Sequence, residues 1–301
     1  MESKMKLNLQ FFADNQIELF KAYIPILDEV YQEASKTAVL DGNPELAQAG
    51  SNANELVIPK ISMEGLGDYS RSSGYVSGDV TLTNETVPVN FDRGRMFVVD
   101  SMDNAETAGI AFGRLAGEFI RTKVVPELDA FRFAVYASKA DTPGTKAETF
   151  ANGEAVIKAL RAASNQMDEA EVPMEDRHLF ITPTVHGMIS DLDTTKSKEV
   201  MARFASLTLV PQSRFYTAIE QKSGEGAEKA GGFTKAATGK DINFMILHKA
   251  AVIQFPKHIA PKVVTPEQNP DADAWKFGYR QVGVTDVYEN KVAGIYLNHK
   301  A

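Results

Sequence analysis

The chain has 301 residues, 44% of them hydrophobic, and 32 basic against 40 acidic residues leave a net charge of −8. That is apolar material enough for one large or two ordinary cores, and the wrong sign for a protein that grips nucleic acid by neutralising phosphates. With no cysteine, disulfides, thiolate metal sites and a cysteine nucleophile are excluded, and stability rests on burial.

Residues 1 to 50 alternate short apolar clusters (Leu7, Leu9, Phe11, Phe12; Ile17, Leu19, Phe20, Tyr23, Ile24) with turn signals such as Asp41-Gly42-Asn43-Pro44. Lysines precede the first cluster, but Asn8 and Gln10 interrupt it, and it is too short for a signal sequence or a membrane span. Ile17 to Ala38 is expected as an amphipathic helix interrupted at Pro25. The segment as a whole reads as an arm whose apolar residues need a surface to lie on.

From Leu56 the period changes to two. Ile61 and Met63 stand on one limb, and Val80, Leu82, Val87, Val89 and Phe91 on the other, which predicts a long β-hairpin. Its tip, Glu64 to Asp79, holds four glycines and four serines in 16 residues, with Leu66, Tyr69, Tyr75 and Val76 as its large side chains. A structureless loop of that length is uncommon in a compact domain. A lone two-stranded ribbon is marginal in water, so the hairpin is expected to need a neighbour.

Ser101 to Ala140 carries Ile110, Gly113, Gly117, Ile120, Val124, Leu128, Phe131 and Val135 at spacings of three and four, one stripe along one long helix. Ser101 and Asp103 offer N-cap oxygens, with Glu106 completing a capping box, and Asp141, Pro143 and Gly144 end the run. Pro126 frees the carbonyl of Thr122, and a kink is expected there because the stripe continues in phase. About 36 residues at 1.5 Å each would give a rod of roughly 54 Å. Beyond it, Gly153 to Met167 reads as an amphipathic helix with Val156, Ile157, Leu160, Ala163 and Met167 inward. A strand from His178 to Ile181 is expected to pass directly into a helix ending near Leu192, with Thr182 as N-cap and Pro183 as first helical residue. Residues 220 to 240 read as an exposed loop. Ile242 to Leu247 and Val252 to Phe255 are strand-length apolar runs. Trp275, Phe277 and Tyr279 alternate toward Tyr288, and Glu289-Asn290-Lys291 turns the chain back into Val292 to Asn298, a final hairpin.

Chemistry is hard to find in this pattern. His178 and His186 flank the strand-to-helix turn and Asp191 and Asp193 follow, but there is no HExxH and no pair of histidines one helical turn apart. Asp191 to Thr195 begins like a calcium loop and fails at its sixth and twelfth positions, Lys196 and Ala202. No GxSxG is present. Gly65-Leu66-Gly67 lacks a third glycine, and Gly224 and Gly226 lack the lysine and hydroxyl residue of a phosphate loop. Asp271 and Asp273 read as turn residues, and the aromatics at 275, 277 and 279 as one buried strand face. The chain is therefore not expected to be an enzyme, and no cofactor or metal is expected; its work is expected to lie in its surfaces.

IPKISMEGLGDYSRSSGYVSG, FDRGRMFVVDSMDN, VVPELDAFRFAVYA, LFITP and the ending WKFGYRQVGVTDVYENKVAGIYLNHK, in this order and spacing, resemble the major capsid proteins of tailed bacteriophages. The leader MKLNLQFFA resembles those of phages of Gram-positive bacteria. The resemblance implies an α+β protein of the Hong Kong-type capsid fold. Residues 1–50 would be the N-terminal arm, 51–100 the extended β-hairpin loop, 101–177 a peripheral domain with the spine helix, and 178–274 the axial domain. Residues 275–301 would form a C-terminal hairpin returning to the peripheral domain. It further implies self-assembly through pentamers and hexamers into an icosahedral shell around double-stranded DNA, in the virion after assembly in the host cytoplasm. Tyr69, Arg71 and Tyr75 on the loop, with Phe11 and Phe12 on the arm, are the expected subunit contacts, since Arg and aromatic residues anchor interfaces.

Two departures from relatives shape the expectation. Some weld subunits through a loop lysine, but no lysine lies between Lys60 and Lys123, so contacts are expected to be non-covalent. Some carry a helical assembly domain before the arm, for which the first fifty residues leave no room, so a separate scaffolding protein is expected, beside portal and head-completion proteins. An encapsulin-type shell holding a protein cargo is the alternative within the fold. A metal-dependent α/β hydrolase using His178, His186 and Asp191 is the alternative from another class.

Overall fold

The computed structural model describes residues 35–42, 48–49, 55–102, 110–192 and 194–301. They fall into two compact units. One gathers Arg95–Leu128 with Ala260–Tyr279, and the other gathers Lys36–Gly94, Asp129–Ile259 and Arg280–Ala301. The expected N-cap residues Asp103 and Glu106, and nearly all of the expected arm helix from Ile17 to Ala38, lie outside the described residues.

The larger unit is built on a five-stranded sheet. Its strands are β5 (Thr145–Ala147), β6 (Arg177–Ile181), β7 (Ser206–Leu209), β10 (Ile242–His248) and β13 (Ile295–His299), in the order β5-β13-β10-β6-β7. The central β10 runs antiparallel to both neighbours, and the outer pairs β13–β5 and β6–β7 are parallel. Every residue of β6 and β10 is buried, as a sheet covered on both faces requires. Successive residues serve opposite sides. Leu179, Ile181, Phe244 and Ile246 join Val156, Ile157, Leu160, Ala163 and Met167 of the helix Gly153–Glu169 in one core. Phe180, Met245 and Leu247 join Phe133 and Tyr136 of the long helix, with Leu40 and Phe215, in the other. The five residues expected inward on Gly153–Glu169 are buried, together with Gly153, Ala159 and Ser164. Asn152 caps it by accepting from the Ala155 N–H at 3.0 Å. A Cβ on Gly153 would lie 2.0 Å from the Met188 carbonyl oxygen, so only glycine fits there. Thr182 holds the N-cap position of Pro183–Ser190 without a side-chain capping bond; its hydroxyl reaches the Asn243 carbonyl at 3.4 Å instead.

The long helix departs from its expected phase. Residues Ile110–Phe119 (α1) and Val125–Lys139 (α2) are α-helical, and Ile120–Val124 between them is a π turn. There the Val125 N–H donates to the carbonyl of Ile120, five residues back. The wide turn places Pro126 in the first turn of α2, where a missing N–H is tolerated. One inserted residue also rotates the buried stripe. Ile120 is followed by Val125, Leu128, Arg132, Phe133 and Tyr136 inside, while the expected Val124, Phe131 and Val135 are half-buried. Ahead of α1, Asp100 accepts from the Met102 N–H at 2.9 Å. Ser101 donates its hydroxyl to Asp273 Oδ1 at 2.8 Å.

The remaining strands are β1 (Gln48–Ala49), β2 (Glu55–Met63), β3 (Val80–Pro88), β4 (Phe91–Asp100), β8 (Ile219–Gln221), β9 (Phe233–Lys235), β11 (Val252–Val264) and β12 (Ala274–Val287). They make three further sheets, β1-β2-β3, β11-β12-β4 and β8-β9. Three expectations change here. Residues 220 to 240 are not all loop, because β8 and β9 pair at their ends. The run from Val252 extends past Phe255 through Pro256 and Pro261 to Val264, which its edge position allows. The expected final hairpin separates, with β12 in the three-stranded sheet and β13 in the five-stranded one. Between β3 and β4, Asn90 breaks the strand. Its side chain takes the place of a backbone partner, donating to the Thr285 carbonyl at 2.6 Å and accepting from the Thr285 N–H at 3.1 Å.

Candidate assembly surfaces

β2 and β3 pair antiparallel over their full length, with Ile61 opposite Leu82 and Met63 opposite Val80. Opposed residues share a face, so these four make one apolar patch, and the intervening Ser62, Thr81 and Thr83 point the other way. All four are bare: Ile61 is 60%, Met63 70%, Val80 72% and Leu82 66% exposed. The root of the ribbon is anchored differently. Val87, on the opposite face by strand parity, is buried with Ile253 and Val284. The hairpin is therefore fixed at its base by its own chain and left uncovered toward its end.

The tip has more structure than its composition announces. Ser70 and Gly74 pair across a tight turn, N–H to carbonyl at 3.1 and 2.8 Å, and Gly74 takes the φ of +79° that favours glycine. The Ser70 hydroxyl accepts from the N–H groups of Ser72 and Ser73. The turn brings Tyr69 and Tyr75 edge to face with ring centroids 4.9 Å apart, both exposed, with Arg71 exposed on the turn between them. The three expected loop residues thus form one cluster. Phe11 and Phe12 lie outside the described residues.

The end of the expected arm is held by a buried polar clamp that nothing in the sequence announced. Asp129 is fully buried. Its Oδ1 accepts from the Thr37 hydroxyl at 2.8 Å, and its Oδ2 accepts from the Lys36 N–H at 2.9 Å and from Arg214 at 3.1 Å. Arg132, one turn on, donates to Thr37 Oγ1 at 2.8 Å and contacts Asp41 at 3.4 Å. Tyr136, a turn further, donates to Gln254 Oε1 at 2.6 Å, and Gln254 donates to the Thr37 carbonyl and to Asp41. Helical spacing puts Asp129, Arg132 and Tyr136 on one face, and residues Lys36 to Asp41 are bound along it.

The residues that a hydrolase would have used are spread out. His178 is buried, with Nδ1 2.7 Å from the Ser206 hydroxyl, and burial pushes its imidazole below the ordinary histidine range. His186 is half-buried within a helix, and Asp191 is exposed at that helix's end; Asp193 lies outside the described residues. Among the described residues no three His, Asp or Glu side chains stand where they could share a metal ion, and no helix is long and apolar enough to cross a membrane.

A sheet covered on both faces, a long helix packed on one of them, and a rooted hairpin left bare make up an α+β fold, similar to the Hong Kong-type fold of solved capsid structures. The solved structures it resembles carry the same architecture. It matches the structure described as the asymmetric unit of the bacteriophage PhiM1 mature capsid with a TM-score of 0.54 at 13% identity, covering 84% of each chain. The capsid of Staphylococcus phage Andhra matches with a TM-score of 0.53 at 10% identity, over 85% of this chain and 83% of that one. A virus-like particle from Pyrococcus furiosus matches with a TM-score of 0.55 at 11% identity, over 93% and 99%. No protein-family model and no curated protein sequence matches the chain.

Proposed function

We propose that this chain is the major capsid (head) protein of a tailed bacteriophage, a structural protein whose copies join in pentamers and hexamers and close into an icosahedral shell around double-stranded DNA. The observation that carries the reading is the likeness of its fold to phage capsid structures over most of its length, 84% of the chain in the PhiM1 case. The bare ribbon supports it, because an apolar face on a two-stranded ribbon is stable only when something covers it. A second copy in a ring supplies that cover, and ring contacts must close at a fixed curvature or run into tubes. The acidic chain, at −8, suits a wall that confines DNA without binding it.

In this reading residues 1–50 are the arm, 51–100 the extended loop, 101–177 the peripheral domain and 178–274 the axial domain. Tyr69, Arg71, Tyr75, Phe11 and Phe12 make subunit contacts, and no cofactor or catalysis is involved. Scaffolding, portal and head-completion proteins are its partners, the host cytoplasm its site of assembly and the virion its destination. Subunits hold together without covalent bonds, and cross-linked peptides in mass spectra of untreated shells would refute that.

The experiment is electron microscopy of the purified chain, alone and co-expressed with its genomic neighbours. Closed shells, tubes or five- and six-membered rings are expected; a uniform monomer under every condition would sink the proposal. A second reading keeps the shell and changes the contents to a protein cargo. The coverage of 93% and 99% against the Pyrococcus particle favours considering it, and shells purified with an enzyme inside and no nucleic acid would select it.

A further inference from the structure

The part of the β11-β12-β4 sheet that belongs to the smaller unit has α1 on one face. Phe97 of β4 meets Phe119 of α1 with ring centroids 4.8 Å apart, and Tyr279 of β12 meets the same ring at 6.3 Å. Their strand neighbours Met96, Val98 and Gly278 point to the other face. One row crosses all three strands there. A Cβ on Gly278 would lie 3.1 Å from the Met96 methyl and 3.7 Å from the Lys262 Cβ, so Met96 reaches over the gap that the glycine leaves, with Lys262 of β11 on its far side. Met96 is 53% and Val98 59% exposed, and Lys262 is exposed beside them. The chain thus carries a second bare apolar strand face besides that of the ribbon.

The two bare faces suit each other. Ile61 and Met63 stand two residues apart on one strand of the ribbon, as Met96 and Val98 do on β4, a spacing of about 7 Å in both. Strand faces with apolar residues at alternate positions pack face to face with their side chains interdigitated. The borders match as well. The ribbon's apolar face runs directly into Glu64 and Asp79, tied where Glu64 Oε2 accepts from the Asp79 N–H at 3.3 Å, and the tip between them adds Asp68 against Arg71; the stripe on β4 is bordered by Lys262. We propose that the Met96–Val98 stripe seats the Ile61, Met63, Val80 and Leu82 face of a second copy's ribbon, with the tip's carboxylates toward Lys262. The inference rests on the shell reading and adds to it the surface that receives the ribbon. Donor and receiver are different patches of one chain, so the contact is head-to-tail, and each copy gives one ribbon and receives one, as a closing ring requires.

The chain has no cysteine, so an introduced pair reports without background. Met63→Cys or Leu82→Cys is combined with Met96→Cys or Val98→Cys, and particles of each combination are oxidised and run on a denaturing gel without reductant. A disulfide forms only where the two Cα atoms come within about 7 Å. At least one combination is expected to give a ladder that runs past the dimer, because head-to-tail links continue from copy to copy, while unassembled subunits give none. In parallel, Val98→Asp is expected to cut particle yield severalfold with the thermal unfolding of the free subunit unchanged. Particles in which no combination links, products that stop at the dimer, a link within one chain, or Val98→Asp particles at wild-type yield would each overturn the inference while leaving the shell reading intact. Absence of particles from the wild-type chain would remove the shell reading itself, and this inference with it.

Discussion

The five-stranded sheet and the β2–β3 ribbon are written in the same alphabet. Both are strands with apolar residues at the positions a sheet would bury, yet β10 is buried at every residue while Ile61, Met63, Val80 and Leu82 are bare. What differs is the cover. The sheet has a helix against each face, Gly153–Glu169 on one side and α2 on the other, so its burial is complete within one chain. The ribbon is rooted at Val87, while Ile61, Met63, Val80 and Leu82 stay exposed. The first region is complete within the chain, and the second leaves an apolar face open, as the proposed shell contact requires.

This contrast breaks most visibly on the ribbon. Ile61→Ser with Leu82→Ser is expected to abolish particles while leaving the unfolding midpoint of the free subunit within about 0.5 kcal/mol of wild type. If the double variant unfolds early in a denaturant titration, the ribbon belongs to the body and the distinction fails. Phe244→Ala attacks the other side. Phe244 is fully buried and stacked between Phe150 and Tyr296, so the loss is expected at ~3–5 kcal/mol, a large share of an ordinary domain's stability, and should show as poor folding before assembly is reached.

Asp129→Ala sharpens the picture at the clamp. It leaves Arg214, Thr37 and the Lys36 N–H without their acceptor in a buried site, at a cost of about 3–5 kcal/mol by the usual penalty for breaking a buried ion pair. Urea unfolding of the free subunit measures it, and a loss below ~1 kcal/mol would mean that water replaces the carboxylate.

The smallest effect concerns His178, inside the sheet. Burial lowers its pKa in the folded subunit from the ordinary 6.5, so the unfolded chain binds the proton more readily. Its contribution is therefore intact above the unfolded value and is lost as pH falls through it toward the folded one. His178→Gln is expected to flatten the fall in melting temperature between about pH 7 and about pH 5, and an unchanged slope would assign that fall to other groups.

Much of the fold could be read from the chain. The helix Gly153–Glu169 and the cores of β6 and β10 follow from period and apolar runs, which are local signals. Three things resisted for physical reasons. The π turn before Pro126 shifts the long helix's buried stripe by one residue, and a stripe counted at fixed period cannot see an inserted one. The Asp129 clamp joins residues some ninety positions apart, so neither partner looks unusual in its own neighbourhood. The strand from Val252 outruns its apolar residues, because the edge position that admits Pro256 and Pro261 is a fact of topology, not of sequence. Of the candidate surface, the exposed position of Tyr69, Arg71 and Tyr75 was legible from the polar, glycine-rich tip they sit in. The turn that gathers them depends on Ser70 and Gly74. The apolar face of Ile61, Met63, Val80 and Leu82 was visible as alternation, but its exposure is known only once nothing is found to cover it.

The most direct test of this account is hydrogen exchange on assembled particles against dissociated subunits, read by peptide across 55–88 and across the β6 and β10 strands. Slowed exchange of the ribbon on assembly, with the two sheet strands protected alike in both states, is the expected result. A ribbon that exchanges equally fast in both states would contradict the claim that its bare face is what the subunits use to hold one another.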